Sequence, residues 1–232
     1  MSSESRRVVV TGSSSGIGLA IATRLLADGW HVQGLDIAPS PIQHTAFSSR
    51  AVDLTDGSAT ERCAKEVGTV DALVHAAGVL RVAPLGRQEA PDGEAMWRLH
   101  VDSISRLANI LVPQMAANGR GRVVLVGSRV ARGMAGRSQY AATKAALISL
   151  ARSWAAEVIA SGVTVNVVSP AATQTAMLQD PARASTAPKL PPIGRLIDPE
   201  EVASLVAYLL SPAAAAITGQ DIQICGGASL AG

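Results

Sequence analysis

Short apolar runs recur along the chain, each separated from the next by a longer segment with helical spacing. They are RRVVVTG (6–12), WHVQGLD (30–36), VDALVHA (70–76), RVVLVGS (122–128), GVTVNVVS (162–169) and the shorter DIQIC (221–225). Continuous β-branched and aliphatic runs, rather than strict alternation with polar residues, are what strands of a parallel sheet covered on both faces require. RAVDL (50–54) is a weaker seventh candidate. The intervening segments predict helices over about 16–28, 57–66, 94–117, 138–161 and 199–210. The last opens DPEE, which sets Asp198 as N-cap, Pro199 in the first turn and Glu201 at the capping-box position. Strand–helix alternation throughout predicts a doubly wound α/β sheet. The stretch 178–197 breaks the rhythm and, with five prolines counting Pro199, predicts a loop. It is either a lid over a ligand crevice or a plain surface connection.

The 232 residues fit one domain over 1–232, with no repeat and no dividing linker. Nearly half of them (48%) are apolar and 16% charged, which argues against disorder outside the first residues. A net charge of +2, scattered along the chain, gives no ground for a nucleic-acid or membrane partner. The polar opening MSSESRR reads as neither a signal peptide nor a membrane span. Cys63 and Cys225 have no metal-ligand spacing; they are expected to be free thiols in a reducing, cytoplasmic compartment, and no metal site is expected.

VVVTGSSSGIG (8–18) follows the first strand and opens the first helix. Gly12, Gly16 and Gly18 permit a tight turn and close approach of backbone to an anion. The helix N-terminus beyond offers unpaired N–H groups and a positive dipole end to a pyrophosphate. Asp36 closes the second strand eighteen residues after Gly18. A carboxylate there accepts hydrogen bonds from ribose hydroxyls and repels a 2′-phosphate, and no Arg or Lys replaces it, so NAD is expected over NADP. Asp53, after the next strand, is placed either at the adenine edge or in a turn.

Tyr140 is one of only two tyrosines and stands four residues before Lys144, so both side chains share a helix face. An ammonium beside a phenol favours the phenolate, and such a pair can move a proton to or from a substrate oxygen. Any Tyr-x-x-x-Lys has this geometry, however, and the same residues also fit an ordinary amphipathic helix.

TGSSSGIG (11–18), VHAAG (74–78), Ser128 twelve residues before YAATK (140–144), and NVVSPAATQT (166–175) together resemble the short-chain dehydrogenase/reductase family. The tail, PEEVASLVAYLLS (199–211) and ITGQDIQICGG (217–227), is similar to that family's C-terminal region. The resemblance covers essentially the whole chain and implies a single Rossmann-type domain with a seven-stranded parallel sheet and helices on both faces. It implies that Ser128 holds the substrate oxygen, that Tyr140 is the acid/base, and that Lys144 lowers the tyrosine pKa and binds the nicotinamide ribose. Cofactor contacts are implied for Gly12, Ser15, Gly16, Ile17 and Gly18, for Asp36, Asp53 and Leu54, and for Ala76, Ala77 and Gly78. Pro170 and Thr175 follow the sixth strand, Thr175 near the carboxamide. Asn166 is given no role. Helices 94–117 and 138–161 are implied to pair between subunits of a homotetramer.

Three motifs depart from the family's pattern. Its Asn-Asn-Ala-Gly is His75-Ala76-Ala77-Gly78, its Pro-Gly is Pro170-Ala171, and the asparagine of its catalytic group is His100, in WRLHVDS (97–103). Histidine titrates near neutrality and both ring nitrogens hydrogen-bond, so His100 either serves in the asparagine's proton relay or is a packed helix residue.

DALVHAAGVLR (71–81) and GLDIAPS (34–40) are locally similar to 2,3-dihydro-2,3-dihydroxybenzoate dehydrogenases, whose substrates carry a carboxylate. Arg129 and Arg132 after Ser128, and Arg183 and Lys189 in the proline-rich stretch, are candidates to meet such a group, each also readable as a solvated surface charge. Three functions are thus set against each other: an NAD-dependent dehydrogenase of a secondary alcohol, a reductase of a neutral ketone, and an NAD-binding regulatory module. The intact Ser128, Tyr140 and Lys144 speak against the last.

Overall fold

A computed structural model of the chain describes residues 6–178 and 190–230. Seven strands form one sheet: β1 Arg7–Thr11, β2 His31–Asp36, β3 Phe47–Ala51, β4 Ala72–His75, β5 Gly121–Val126, β6 Val163–Pro170 and β7 Asp221–Ile224. Their order is β3-β2-β1-β4-β5-β6-β7, and every pairing is parallel. The helices are α1 Gly16–Ala27, α2 Gly57–Val67, α3 Ala90–Trp97, α4 Ser103–Ala117, α5 Ser138–Val158 and α6 Pro199–Leu210. A π-helical turn, Arg98–Asp102, joins α3 to α4.

Each face of the sheet has its own core. Val9, Leu73, Val123 and Val165 point to the side of α2, α4 and α5, where Leu107, Leu111 and Leu147 meet them. Val8, Val10, Val74 and Val124 point to the side of α1 and α6, against Ile21, Leu25, Val206 and Leu209. Adjacent residues of one strand thus feed opposite cores, which is why the runs are apolar throughout. Burying each such side chain contributes roughly 1.5–3 kcal/mol. Asn166, in the fully buried β6, satisfies both ends of its amide: Nδ2 donates to Ile217 O at 2.7 Å and Oδ1 accepts from Gln220 N at 3.1 Å. It ties β6 to the chain entering β7. Glu201 Oε2 accepts from Asp198 N at 2.9 Å, so α6 starts as its sequence predicts.

Two elements differ from expectation. β3 is FSSRA, Phe47–Ala51, three residues before RAVDL, and is largely polar because it is the edge strand. The predicted helix 94–117 begins earlier, at Ala90 with Pro91 in its first turn, and is interrupted by the π turn. Of the loop 178–197, residues 179–189, including Arg183 and Lys189, lie outside the described residues. Cys63 and Cys225 are free and buried. Among the described residues no helix is long and apolar enough to cross a membrane.

Candidate active site

In an open parallel sheet the crevice lies past the carboxyl ends of the strands, where the connections diverge to opposite faces. Here β1 sits beside β2 on one side and β4 on the other, so the divergence falls between β1 and β4. The ends of β1, β2, β4, β5 and β6 deliver Gly12, Asp36, Ala76, Ser128 and Pro170 to this edge.

The glycine-rich turn is a cradle. Gly12 turns at φ 67°, and a Cβ on Gly18 would stand 2.0 Å from Gly12 O, so the turn closes only with hydrogen at that position. Ser15 is the N-cap residue of α1 in extended conformation, yet its hydroxyl does not cap the helix. The first-turn amides, from Gly16 and Ile17 onward, are left for an anion. Asp36 accepts from Ser14 N at 2.9 Å and Ala38 N at 3.0 Å, which fixes the carboxylate beside the loop. These features fit a dinucleotide. Asp53 accepts from Thr55 N and Oγ1, a local turn, while Leu54 behind it is buried.

The candidate catalytic side chains share one cleft of about 360 Å³. Ser128, Tyr140 and Lys144 line it together with Ile17, Ala76, Gly78, Pro170 and Thr175. Ser128 Oγ accepts from Val130 N at 3.2 Å, opening the 3₁₀ turn Arg129–Arg132. Its own proton has no acceptor among the described residues and is available to a ligand oxygen. Lys144 is 4% exposed and donates to Val126 O at 2.8 Å, with Nζ 5.7 Å from the Tyr140 ring centre. Burial pushes its ammonium down to about 8. Leu80, Val130, Met134, Met177 and Pro191 give the cleft an apolar wall. Arg129 lines it too, half-buried, and makes a single long contact to Ala228 O at 3.4 Å. Arg132 points away: it is exposed and outside the lining, so the turn brings one of the two arginines to the cleft.

The two buried histidines are both engaged, with opposite tautomers. Thr11 Oγ1 accepts from Ala76 N at 3.1 Å and Ala77 N at 3.0 Å, so its hydroxyl proton is left for His75 Nδ1 at 2.9 Å. His75 therefore carries its proton on Nε2, which has no hydrogen-bond partner. Burial first, then the Lys144 charge, push the His75 imidazole down to about 3. His100 Nε2 accepts from Val79 N at 3.0 Å, and its Nδ1 meets Thr143 Oγ1 at 2.8 Å. Burial, Lys144 and His75 hold His100 well below its ordinary value. The sequence leaves His100 either in a proton relay or as a packed helix residue; in the fold both its ring nitrogens bond protein groups. Thr11 and Thr143 were not singled out in the sequence, because their partners lie 64 and 43 residues away. The apolar liners Leu80 and Met134 sit in loops and Met177 in the short 3₁₀ turn Ala176–Leu178, without any periodic signal.

A family model described as enoyl-(acyl carrier protein) reductase matches residues 12–229. The chain is 38% identical to the 3-oxoacyl-(acyl-carrier-protein) reductase FabG of Vibrio cholerae, over 98% of each. It is 31% identical to dehydrogenase/reductase SDR family member 6 of Rattus norvegicus, again over 98% of each. Among solved structures, ligand-free aldohexose dehydrogenase of Thermoplasma acidophilum matches with a TM-score of 0.89 at 26% identity, covering 98% of this chain and 95% of that one. A short chain dehydrogenase/reductase family protein matches at 0.88 and 33% identity, covering 99% and 100%.

Proposed function

The chain belongs to the short-chain dehydrogenase/reductase family, and on that premise we propose that it is an NAD-dependent oxidoreductase acting on a secondary alcohol or the matching ketone. The observation that carries this reading is the convergence of Ser128, Tyr140 and Lys144 on the cleft that Gly78, Pro170 and Thr175 also line. A nicotinamide held there would supply the hydride chemistry, accepting hydride in oxidation and giving it in reduction. The side chains supply position and a proton path. In the direction of oxidation, Ser128 donates to the alcohol oxygen and Tyr140, as phenolate, takes the hydroxyl proton while the carbon gives up its hydride. In reduction, Tyr140 returns that proton to the forming alkoxide. Lys144 favours the phenolate by its charge and would hold the nicotinamide ribose with the N–H groups not given to Val126.

Asp36 supports NAD rather than NADP. A ribose diol would meet a fixed carboxylate as acceptor; a 2′-phosphate would meet it as a like charge. At an effective dielectric of ~20, two unit charges about 4 Å apart repel by roughly 4 kcal/mol, or more than about 100-fold in affinity. The substrate class has two supports. The relatives named as 3-oxoacyl-carrier reductases point to ketone reduction, and the local likeness at 34–40 and 71–81 points to a cyclic dihydrodiol carboxylic acid, with Arg129 in the cleft to meet its carboxylate. The test is a turnover panel of dihydrodiol acids, neutral alcohols and 3-oxo esters, with NAD and NADP in parallel. NAD is expected to be preferred by about 100-fold or more in kcat/KM, a preference that Asp36→Ala reduces. Arg129→Ala is expected to raise KM about tenfold or more for acids and to spare neutral compounds, from loss of a charge-assisted bond. Preference for NADP in the wild type contradicts the cofactor reading, and equal losses on acids and neutrals discard the carboxylate.

A further inference from the structure

The π turn Arg98–Asp102 turns His100 away from solvent and into the space between β4's exit and the start of α5. The side chain is fully buried and meets two partners whose chemistry fixes its proton. The amide of Val79 can only donate, so Nε2 must present a lone pair. In the neutral ring Nδ1 then carries the hydrogen and donates to Thr143 Oγ1. Thr143 in turn donates to the backbone carbonyl of Tyr140 at 2.8 Å. All three bonds run in one sense: Val79 amide to His100, His100 to Thr143, Thr143 to Tyr140. Protonating His100 would set N–H against N–H at Val79 and break the first of them. The charged or titratable groups facing the ring are Lys144 and Tyr140 on α5 and His75 on β4, none of them a carboxylate that would reward an imidazolium. The crowding is tight: a Cβ on Gly78 would stand 3.2 Å from His100 Nε2 and 3.7 Å from Lys144 Nζ.

We infer that His100 is a positioning residue for Tyr140: it clamps the loop after β4, which borders the nicotinamide position, to the first turn of α5, and it carries no proton in turnover. The inference rests on the reading of Tyr140 as acid/base. A rigid link between the loop and the tyrosine's own backbone sets the distance between the hydride and proton partners, to which rates are steeply sensitive.

Thr143→Val keeps the side chain's shape and cuts the link on both sides; Thr143→Ser restores the hydroxyl. The valine variant is expected to lower kcat by about tenfold or more, leave KM for NAD within about twofold, and be rescued by the serine variant. The wild-type pH profile of kcat is expected to show no histidine limb between about pH 6 and 7. The inference is overturned by wild-type kcat in Thr143→Val, or by a limb in that range that His100→Asn removes, which makes His100 a proton carrier. A loss in the valine variant that serine does not restore overturns it as well. Tyr140→Phe, measured beside them, separates the two levels. If that variant stays active, the reading of Tyr140 itself fails, whatever the clamp does.

Discussion

Lys144 sits in the cleft at a cost in stability. Its ammonium is taken out of water to sit beside Tyr140 with a single backbone acceptor, and the drop from the ordinary 10.5 to about 8 corresponds to on the order of 3 kcal/mol. The sign is fixed by proton counting. Between about pH 8 and 10.5 the unfolded chain holds the proton that the folded chain has released, so stability rises with pH across that window and the full penalty is present below it. Lys144→Met is therefore expected to unfold at higher urea than the wild type near pH 7, with the advantage shrinking toward pH 10. An advantage that does not change with pH would show that the ammonium is not strained. Tyr140 and Lys144 were legible in the sequence because four-residue spacing alone puts them on one face. The state of His100 was not. Its tautomer depends on Val79 and Thr143, which only the folded chain brings to the ring.

At the scale of elements, burial decided what the sequence could disclose. Strands covered on both faces announce themselves by unbroken apolar runs, and six of the seven lie where those runs stand. β3 escaped because an edge strand needs no apolar face; the more apolar RAVDL drew the assignment three residues on, although only Leu54 of it is deeply buried. The π turn leaves no composition signal, since one inserted residue shifts the helix face without changing the residue types it needs. The expected pairing of α4 and α5 between subunits belongs here too. Their outer faces, with α2, border a groove of about 1040 Å³ lined by Arg106, Asn109, Leu150 and Trp154, and Ile110, Ile148 and Val158 are only partly buried nearby. We propose that a second copy covers this face within a homotetramer. Light scattering is expected to give about four times 23.7 kDa, and Trp154→Glu to lower that mass. A wild-type mass near 23.7 kDa at micromolar concentration would rule the arrangement out.

At the scale of the molecule, the sheet order is what turns scattered residues into a site. Because the connections part between β1 and β4, residues from Gly12 to Thr175 reach one edge while the cores stay closed beneath them. The sequence foretold that edge through its glycine turn and strand ends. It did not foretell the apolar wall, nor which of the two candidates Arg129 and Arg132 lines the cleft, since both depend on how the loops lie. The central claim is that this edge binds NAD and that Tyr140 moves the proton there. The most direct test is steady-state NADH formation from a secondary alcohol by the wild type and by Tyr140→Phe, with NAD binding measured on both. Equal binding is expected, with a fall in kcat of about 100-fold or more in the variant, the range for loss of a general acid/base. Turnover by Tyr140→Phe within a few fold of wild type would contradict it.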